Sequence, residues 1–370
     1  MAKKTINWKS LKSNRITKDF KRLPTGIFQL DYALGGGFPI GVTSNLFGAD
    51  HSFKTGILLK LVSTAQNWCW SCNNYVWDCK CESGPTKKEI LFLDLETVDW
   101  EWAERLGVDT SDKALYIEEP EYGEEVVDIV YAALKDEDVG LVIVDSISRI
   151  LPKEETDGLA GDYKVGIRAK LHTQMINKVK SALIYRKKID SPVLFVGTTQ
   201  VRANIGGNMY YGEAIESSAS YALKHDWHLS LKTVKLAPEV ENNIPHYGRF
   251  KVVISSLKTK SKMYVLGSEA RFNVVLQPID DEIERMGEVL DYGDFLRVAK
   301  EQIMTKKYEI YDVSFKYQRD IVPFMRENSN KYLSLKKKLI EHCVGVAKGK
   351  IPKIPNTLGA KADKDTTKEE

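Results

Sequence analysis

The chain has 370 residues, of which 43% are hydrophobic and 28% are charged, and its formal net charge is +3. This composition is typical of a globular protein with one large domain plus attachments. The sequence contains no apolar run of about 18 residues, which excludes a transmembrane helix, and its charged N-terminus lacks the apolar segment of a secretory signal. We therefore expect a cytoplasmic protein with no membrane partner.

Basic residues are concentrated near the two ends of the chain. Residues 1–22 contain eight Lys or Arg and one acid, and residues 331–353 contain seven Lys and one Glu. Such blocks attract phosphate backbones, although a solvated helix face has the same composition. We interpret 1–22 as a basic segment suited to contacting a neighbouring subunit, and the polar tail 354–370 is predicted to be disordered.

Short apolar runs alternate with helical patterns from residue 42 onwards. Nearly continuous apolar runs are typical of buried parallel strands, and they lie at 42–47, 89–96, 114–119, 140–147 and 191–200. The helical patterns between them lie at 54–66, 99–106, 124–135 and 166–187. This order predicts an α/β fold with a mostly parallel, doubly wound sheet.

The rhythm changes after residue 226. Strand patterns at 227–234, 248–257 and 270–278 follow one another without helices between them, which predicts that they extend the sheet in antiparallel fashion. We therefore expect a core over 23–278 and a small helical C-terminal region over 279–353.

The segment from Gly48 to Thr55 matches the phosphate-loop pattern G-x4-G-K-[ST] at every defined position except Phe53. It follows a predicted strand and opens a predicted helix, so its backbone N–H groups and the helix N-terminus suit a phosphate group. Lys54 is suited to the β- and γ-phosphates of a nucleotide, and the Thr55 hydroxyl to Mg²⁺. The alternative is an ordinary Lys-Thr pair at a helix start.

Polar side chains end three of the predicted strands. These are Glu96, Asp145 and Gln200. Ligands of open α/β sheets bind outside the carboxyl ends of the strands. Asp145 is therefore a candidate for the Mg²⁺ shell, and Glu96 for the general base that activates a water. An acid that caps the next helix is the alternative for Glu96.

The order of the motifs resembles that of RecA-type homologous recombinases. The segments that carry the resemblance are LPTG with LDYALGGGFPIG (23–41), the phosphate loop, LFLDLE with WAERLGVD (91–109), VIVDSISRILPKEE (142–155) and GTTQVRANIGG (197–207). The likeness covers 23–278 and implies a RecA-like P-loop ATPase core. Ser-Phe-Lys at 52–54 also resembles the UvsX-like recombinases of large tailed phages, in which Phe likewise replaces the usual Gly.

The resemblance implies roles at ATP beyond the phosphate loop. Asp99 and Trp102 match the positions that contact adenine, and Gln200 matches the residue that couples ATP to the second DNA-binding loop. Lys258 and Lys260 match a Lys-x-Lys pair that reaches a neighbouring subunit's ATP, although an exposed basic strand end is the alternative. The set implied for ATP and Mg²⁺ is Gly48, Ser52, Phe53, Lys54, Thr55, Asp99, Trp102 and Asp145, with catalytic roles for Lys54, Glu96, Gln200, Lys258 and Lys260.

The resemblance also implies contacts with DNA. Lys170 and Thr173 match phosphate contacts on the helix after the first DNA-binding loop, whereas Asn177 stands where RecA has Arg. Positions of the second loop are matched by Arg202, Ile205, Ser217 and Ser218. Ile205 is apolar in a loop rich in Gly and Asn, as expected of a side chain that wedges between bases.

Four cysteines, Cys69, Cys72, Cys79 and Cys81, lie within 67–88. RecA proteins have only a short connection there, so this segment is predicted to be an insertion. Four thiolates over 13 residues suit tetrahedral Zn²⁺, and reduced structural thiols are the alternative. Another protein, DNA and the core surface stay open as binding partners of the insertion.

The sequence therefore predicts an ATP-dependent DNA recombinase that forms helical filaments on single-stranded DNA. It would exchange strands with homologous double-stranded DNA in recombination, repair and recombination-dependent replication. The implied partners include further copies of the chain and single-strand-binding and mediator proteins, in the cytoplasm of a phage-infected bacterium. A replicative helicase with the same core, which usually carries an N-terminal collar longer than the 22 residues here, and a non-hydrolysing recombination mediator are the alternatives.

Overall fold

The computed structural model describes residues 20–158, 166–203, 215–217, 225–241, 244–259, 269–275, 289–304, 309–317 and 320–351. Its main feature is one large sheet. The described strands of this sheet are β3 (Thr43–Gly48), β6 (Glu89–Asp94), β7 (Leu115–Glu118), β8 (Val139–Asp145), β9 (Leu194–Ala203), β10 (Ile215–Ser217), β11 (Leu229–Glu241), β12 (Ile244–Thr259), β13 (Glu269–Val275) and β14 (Val289–Leu290).

Helices and short hairpins surround the sheet. The described helices are α1 (Phe28–Leu34), α2 (Lys54–Gln66), α3 (Trp100–Arg105), α4 (Gly123–Lys135), α5 (Lys153–Thr156), α6 (Ile167–Lys188), α7 (Tyr292–Gln302), α8 (Ile321–Glu327) and α9 (Ser329–Ala347), with short 3-10 helices at Val76–Asp78 and Ile147–Arg149. The paired short strands are β1 (Arg22–Leu23) with β2 (Phe38–Pro39), β4 (Trp68–Cys69) with β5 (Asn74–Tyr75), and β15 (Glu309–Ile310) with β16 (Val313–Ser314).

The strand order of the large sheet is β14-β13-β12-β11-β3-β9-β8-β6-β7, and β10 pairs with β9. All neighbours from β11 to β7 are parallel, whereas β12, β13 and β14 are antiparallel to their neighbours. The predicted fold class, a mostly parallel doubly wound sheet extended by antiparallel strands, is thus confirmed.

One detail of that prediction is wrong: the first of the three late strands, β11, joins the sheet parallel to β3. A parallel connection needs a crossover of about a dozen residues or more. The chain between Ala203 and Leu229 is long enough for this crossover. The antiparallel extension begins only with β12.

The sheet buries both of its faces because successive side chains of a strand point to opposite sides. On one face, Ile90 and Phe92 of β6 pack in a cluster with Ile57 and Leu61 of α2. On the other face, Leu91 and Leu93 pack in a second cluster. That second cluster is completed by side chains of α4 and α6, among them Val126, Val130, Met175 and Val179.

The C-terminal elements form a third apolar cluster, which also includes Phe28 of α1. Phe28 and Phe295 meet edge to face, with ring centres 5.4 Å apart. The region predicted to be helical contains α7, α8 and α9, but β14 and the hairpin β15–β16 also lie within it. These strands are two residues long, which is too short for a periodic pattern in the sequence.

In the part of the chain described here, every helix is too short or too polar to cross a lipid bilayer.

Candidate nucleotide site and its neighbours

The phosphate loop, residues 49–53, joins β3 to α2 and is tied to the neighbouring strand β11. The Ser52 hydroxyl donates to the carbonyl of Ala49 (2.7 Å) and lies 2.7 Å from the hydroxyl of Thr233. A Cβ added to Gly48 would lie 2.3 Å from the Thr233 carbonyl oxygen, so this close approach requires glycine. Phe53 adopts a left-handed conformation, with φ 69° and ψ 24°, immediately before α2.

Lys54 is folded over its own loop. Its Nζ atom donates to the carbonyls of Gly48 (3.1 Å) and Ala49 (2.8 Å). Burial lowers the pKa of Lys54, and the nearby carboxylates of Glu96 and Asp145 oppose that shift. The ammonium group is therefore held between the loop and two acids, in a place suited to a phosphate group.

Asp145 is fully buried at the end of β8 and accepts two hydroxyl hydrogen bonds. Thr55 donates to one carboxylate oxygen (2.7 Å), and Thr198 of β9 donates to the other. Burial raises the pKa of Asp145 to about 6, although both hydroxyls lower it. Thr55 and Asp145 together offer oxygen ligands of the kind that Mg²⁺ prefers.

Glu96 lies two residues beyond the end of β6, because the strand stops at Asp94 and not at Glu96 as predicted. The Asp94 carboxylate turns the chain by accepting from the backbone N–H groups of Glu96 (3.2 Å) and Val98 (2.8 Å). This turn brings the Glu96 side chain across the strand ends towards β8 and β9.

The Glu96 carboxylate meets donors from two neighbouring strand ends. Ser146 Oγ donates to its Oε1 atom at 2.6 Å, and Gln200 Nε2 donates to the same atom at 2.8 Å. Arg149 lies 3.8 Å from that oxygen, and 60% of its side chain is exposed. Glu96 and Gln200 therefore meet at one edge of the sheet, where the charge of Glu96 also acts on Lys54.

A cavity of about 720 Å³ opens beside these groups. Its lining includes the phosphate loop, Glu96, Gln200 and four residues from the α3 region, Asp99, Glu101, Trp102 and Arg105. Asp99, not Glu96, caps α3, since its carboxylate accepts from the Trp102 backbone N–H at 3.0 Å. The Trp102 ring meets the Phe53 ring edge to face at 6.1 Å, so an aromatic wall faces the cavity.

An open groove on α6 carries the predicted DNA phosphate contacts. Lys170, Thr173 and Asn177 line it together with Tyr131 of α4. The Thr173 hydroxyl donates to the carbonyl of Ala169 at 2.7 Å, four residues earlier in the helix. Lys178, which follows Asn177 and is the nearest cation to that position in the chain, lies 2.6 Å from Asp128, so an acid partly offsets its charge.

Other predicted residues are placed only in part. The backbone of Ser217 pairs with that of Val201, and the backbone of Arg202 pairs with that of Glu216. Arg202 and Ser217 are therefore part of the antiparallel pair β9–β10. The backbone of Lys258 pairs with Ser230 on β11. Ile205, Ser218 and Lys260 lie outside the described residues, as do 1–19 and the tail 354–370.

Nearby acids offset part of the positive charge of the basic segment 331–353. Three of its lysines lie close to acids: Lys331 at 2.5 Å from Asp312, Lys336 at 2.7 Å from Asp291 and Lys337 at 2.5 Å from Glu341. The Lys336–Asp291 pair is buried, so this cation serves the packing of the C-terminal region.

The four cysteines of the insertion converge. Their sulfur atoms all lie within 4.8 Å of one another, and the thiols are free of disulfides. The insertion contains the hairpin β4–β5 and packs against the molecule's own surface, which includes α9.

Sequence reasoning missed two hydroxyls that complete the site, Ser146 on Glu96 and Thr198 on Asp145. Each has a local signal, since Ser146 directly follows Asp145 and Thr198 stands two residues before Gln200. A hydroxyl within two residues of a polar residue at a strand end is the signal that points to both.

The comparisons with known proteins agree with the motif order. The family model for the RecA N-terminal domain matches residues 8–266. The chain is 29% identical to Protein RecA of Campylobacter lari over 346 residues, which cover 92% of this chain and 88% of that protein. It is 30% identical to Protein RecA of Campylobacter jejuni over 314 residues, which cover 84% of this chain and 78% of that protein. Because the family model spans more than half of the chain, this protein belongs to the RecA family.

Proposed function

We propose that this protein is a DNA-dependent ATPase that works as a homologous recombinase. The observation that carries the proposal is a cavity lined by residues from three neighbouring strands: Lys54 and Thr55 after β3, Glu96 after β6 and Gln200 within β9. Asp145, at the end of β8, joins them through the hydrogen bond that it accepts from Thr55. Open α/β sheets bind their ligands at such an edge, and the phosphate loop specifies a nucleoside triphosphate.

The proposed chemistry is hydrolysis of the γ-phosphate by a water that Glu96 activates. One oxygen of Glu96 is fixed by Ser146 and Gln200, which leaves the other to accept a proton from the water. Lys54 neutralises phosphate charge. The Thr55 hydroxyl and the Asp145 carboxylate would hold Mg²⁺, which would supply further positive charge at the phosphates. Asp99 and Trp102 flank the base, and a ring such as that of Trp102 can stack on adenine.

Gln200 is the proposed link between ATP and DNA. Its side chain contacts Glu96, and its strand continues to Ala203, next to the segment that contains Ile205. Arg202, Ile205, Ser217 and Ser218 would hold single-stranded DNA, and Lys170 and Thr173 would contact its phosphates. Binding of this kind is largely independent of base sequence, because backbone contacts and stacking carry it.

The working form in this proposal is a helical filament on single-stranded DNA that pairs with homologous double-stranded DNA. Lys258 and Lys260 would complete the ATP site of a neighbouring copy, as an arginine finger does in other ATPases. Family membership supports recombination and repair, with single-strand-binding and mediator proteins as further partners. Phe53 in the phosphate loop supports the narrower assignment to UvsX-like phage recombinases and to recombination-dependent replication.

The test is ATP hydrolysis with and without single-stranded DNA, with electron microscopy of the same samples. DNA should stimulate the wild type, and E96Q should hydrolyse ATP about 10²- to 10⁴-fold more slowly while it still binds nucleotide, since only the general base is lost. The matched control is E101Q, the same change in an exposed acid of the same cavity, which should keep the wild-type rate. Unchanged hydrolysis by E96Q, or closed rings in place of open filaments, would overturn the proposal.

A further inference from the structure

The cysteine cluster has the dimensions of a metal site. Cys79 Sγ lies 3.5 Å from Cys69 Sγ and 3.8 Å from Cys72 Sγ, and Cys69 Sγ lies 3.9 Å from Cys81 Sγ. Four sulfurs at about 2.3 Å from a tetrahedral Zn²⁺ would be about 3.8 Å apart. Disulfide sulfurs would be separated by only about 2.0 Å. The four sulfurs therefore need only small shifts to hold one ion.

Backbone groups around the sulfurs favour their charged form. The N–H of Thr86 donates to Cys69 Sγ at 3.3 Å, and the N–H of Cys81 donates to Cys79 Sγ at 3.4 Å. Such donors orient metal ligands and stabilise negative charge on them.

The apolar side chains of the insertion are mainly aromatic rings, and they pack into the apolar cluster that covers the α2 face of the sheet. Trp68 and Tyr75 meet edge to face at 5.3 Å, and Tyr75 stacks on Trp77 at 4.8 Å. A segment of this size buries too little surface to hold its own fold, and a metal supplies the missing free energy in comparable small modules.

The aromatic side of the insertion contacts the C-terminal helix α9. Trp77 Nε1 donates to Ser334 Oγ at 2.9 Å, and that hydroxyl donates to the carboxylate of Asp78. The Lys337 ammonium lies 6.0 Å from the Trp68 ring centre. Trp77 and Asp78 occupy the 3-10 helix directly before Cys79, so the path of the cysteine loop fixes their position.

The opposite side of the insertion contacts the sheet. The Trp70 ring covers Gly140 on β8, where an added Cβ would lie 2.6 Å from the ring. The insertion thus touches the ATPase core through Trp70, next to Cys69, and α9 through Trp77, close to Cys79.

We propose that Cys69, Cys72, Cys79 and Cys81 bind one Zn²⁺, and that the metal-bound insertion helps to hold the part of α9 around Ser334 on the core. Removal of the metal frees the 3-10 helix at 76–78, and α9 loses the hydrogen bonds at Ser334. This inference does not depend on ATP or DNA binding.

The first experiment measures metal in the purified full-length chain. One Zn²⁺ per chain is expected for the wild type, and Co²⁺ in its place should give the absorption of a tetrahedral thiolate site. C79A should lose the metal. The matched control C343A changes the remaining cysteine, which lies in α9, and should keep it. A wild type without zinc, one with disulfides among the four cysteines, or a C79A that retains zinc overturns the proposal.

The second experiment measures amide hydrogen exchange in α9 before and after zinc is removed by a chelator. Exchange around residues 333–338 should accelerate on removal, while exchange in α6 stays unchanged and reports an intact core. W77F keeps an aromatic ring but loses the indole N–H donor, so it should retain zinc and accelerate the same amides about fivefold, as expected for one ordinary hydrogen bond. Unchanged exchange in α9 after zinc removal would show that the metal-bound insertion does not hold α9 in place.

Discussion

Phe53 shows how a residue in an unfavourable backbone conformation can still stabilise its site. A left-handed conformation costs a residue other than glycine about 1–2 kcal/mol, whereas burial of a Phe side chain contributes about 1.5–3 kcal/mol. The ring is 5% exposed and packs against Trp102 and Phe272. It also covers Gly56, where an added Cβ would lie 2.3 Å from the ring. The Phe53 ring therefore occupies the space that a side chain at position 56 would need, so position 56 requires glycine although position 53 has none.

Replacement of Phe53 by glycine should therefore destabilise the protein, even though it restores the usual phosphate-loop residue. Loss of the ring costs about 3–5 kcal/mol and relief of the backbone returns about 1–2 kcal/mol, so F53G should lower the free energy of unfolding by about 2 kcal/mol. Urea denaturation measures it. F53A, which loses the ring but keeps the strained backbone, should be less stable than F53G, and an F53G more stable than the wild type would contradict this account.

At the scale of elements, α6 has one face buried in the core and another that lines the groove with Lys170 and Thr173. His172, between them in sequence, points inward and is 6% exposed. Burial lowers its pKa to about 4, against a smaller opposing effect of a hydrogen bond with the Ile147 backbone, and nearby Arg168 lowers it further. The helix was predicted within one residue of its ends, because its pattern is local. The burial of His172 depends on how α6 packs, which spacing does not reveal.

The His172 pKa gives a pH dependence of stability. Between about pH 6.5 and 4, His172 binds a proton in the unfolded chain but not in the folded chain. The free energy of unfolding therefore decreases as pH falls through that window. From pH 7 to 5 the wild type should lose about 2 kcal/mol more of its free energy of unfolding than H172F, which keeps a ring but has no titrating group. Urea denaturation of both proteins at the two pH values tests this. Equal losses would show that His172 does not carry the effect.

At the scale of the molecule, the C-terminal region is held on the start of the core by a buried polar cluster. Lys336 of α9 pairs with Asp291 at 2.7 Å and donates to the carbonyl of Gly26 at 2.8 Å. Asp291 also accepts from the Phe28 backbone N–H (2.8 Å) and the Tyr332 hydroxyl (2.8 Å). Phe28 and Asp291 are 263 positions apart, so no local pattern predicts their contact.

Removal of one charge from this cluster should be costly. K336M leaves the buried Asp291 carboxylate without its cation and should lower the free energy of unfolding by about 3–5 kcal/mol. K331M breaks an exposed pair with Asp312 and should cost less than about 1 kcal/mol. Thermal unfolding distinguishes the two. Addition of D291N to K336M should recover part of the loss, and similar stabilities of K336M and K331M would contradict the role of the cluster.

The features that could be predicted from the sequence are those that depend on neighbouring residues in the chain. The phosphate loop, the apolar strands and the acids at their ends are local patterns, and the predicted nucleotide residues Lys54, Glu96 and Gln200 lie around one cavity. The parallel entry of β11, the packing of Phe53 on Gly56 and the contact of the insertion with α9 arise from tertiary packing. Spacing along the chain carries no information about them.

The central claim, that this chain is an ATP-driven recombinase, is tested most directly by joint-molecule formation between single-stranded DNA and a homologous duplex. We predict joint molecules in the presence of ATP and Mg²⁺, none with a heterologous duplex, and none with K54A, which loses the phosphate-binding cation. ATP-dependent strand separation without any requirement for homology would contradict the claim, as would pairing that is equally efficient without nucleotide.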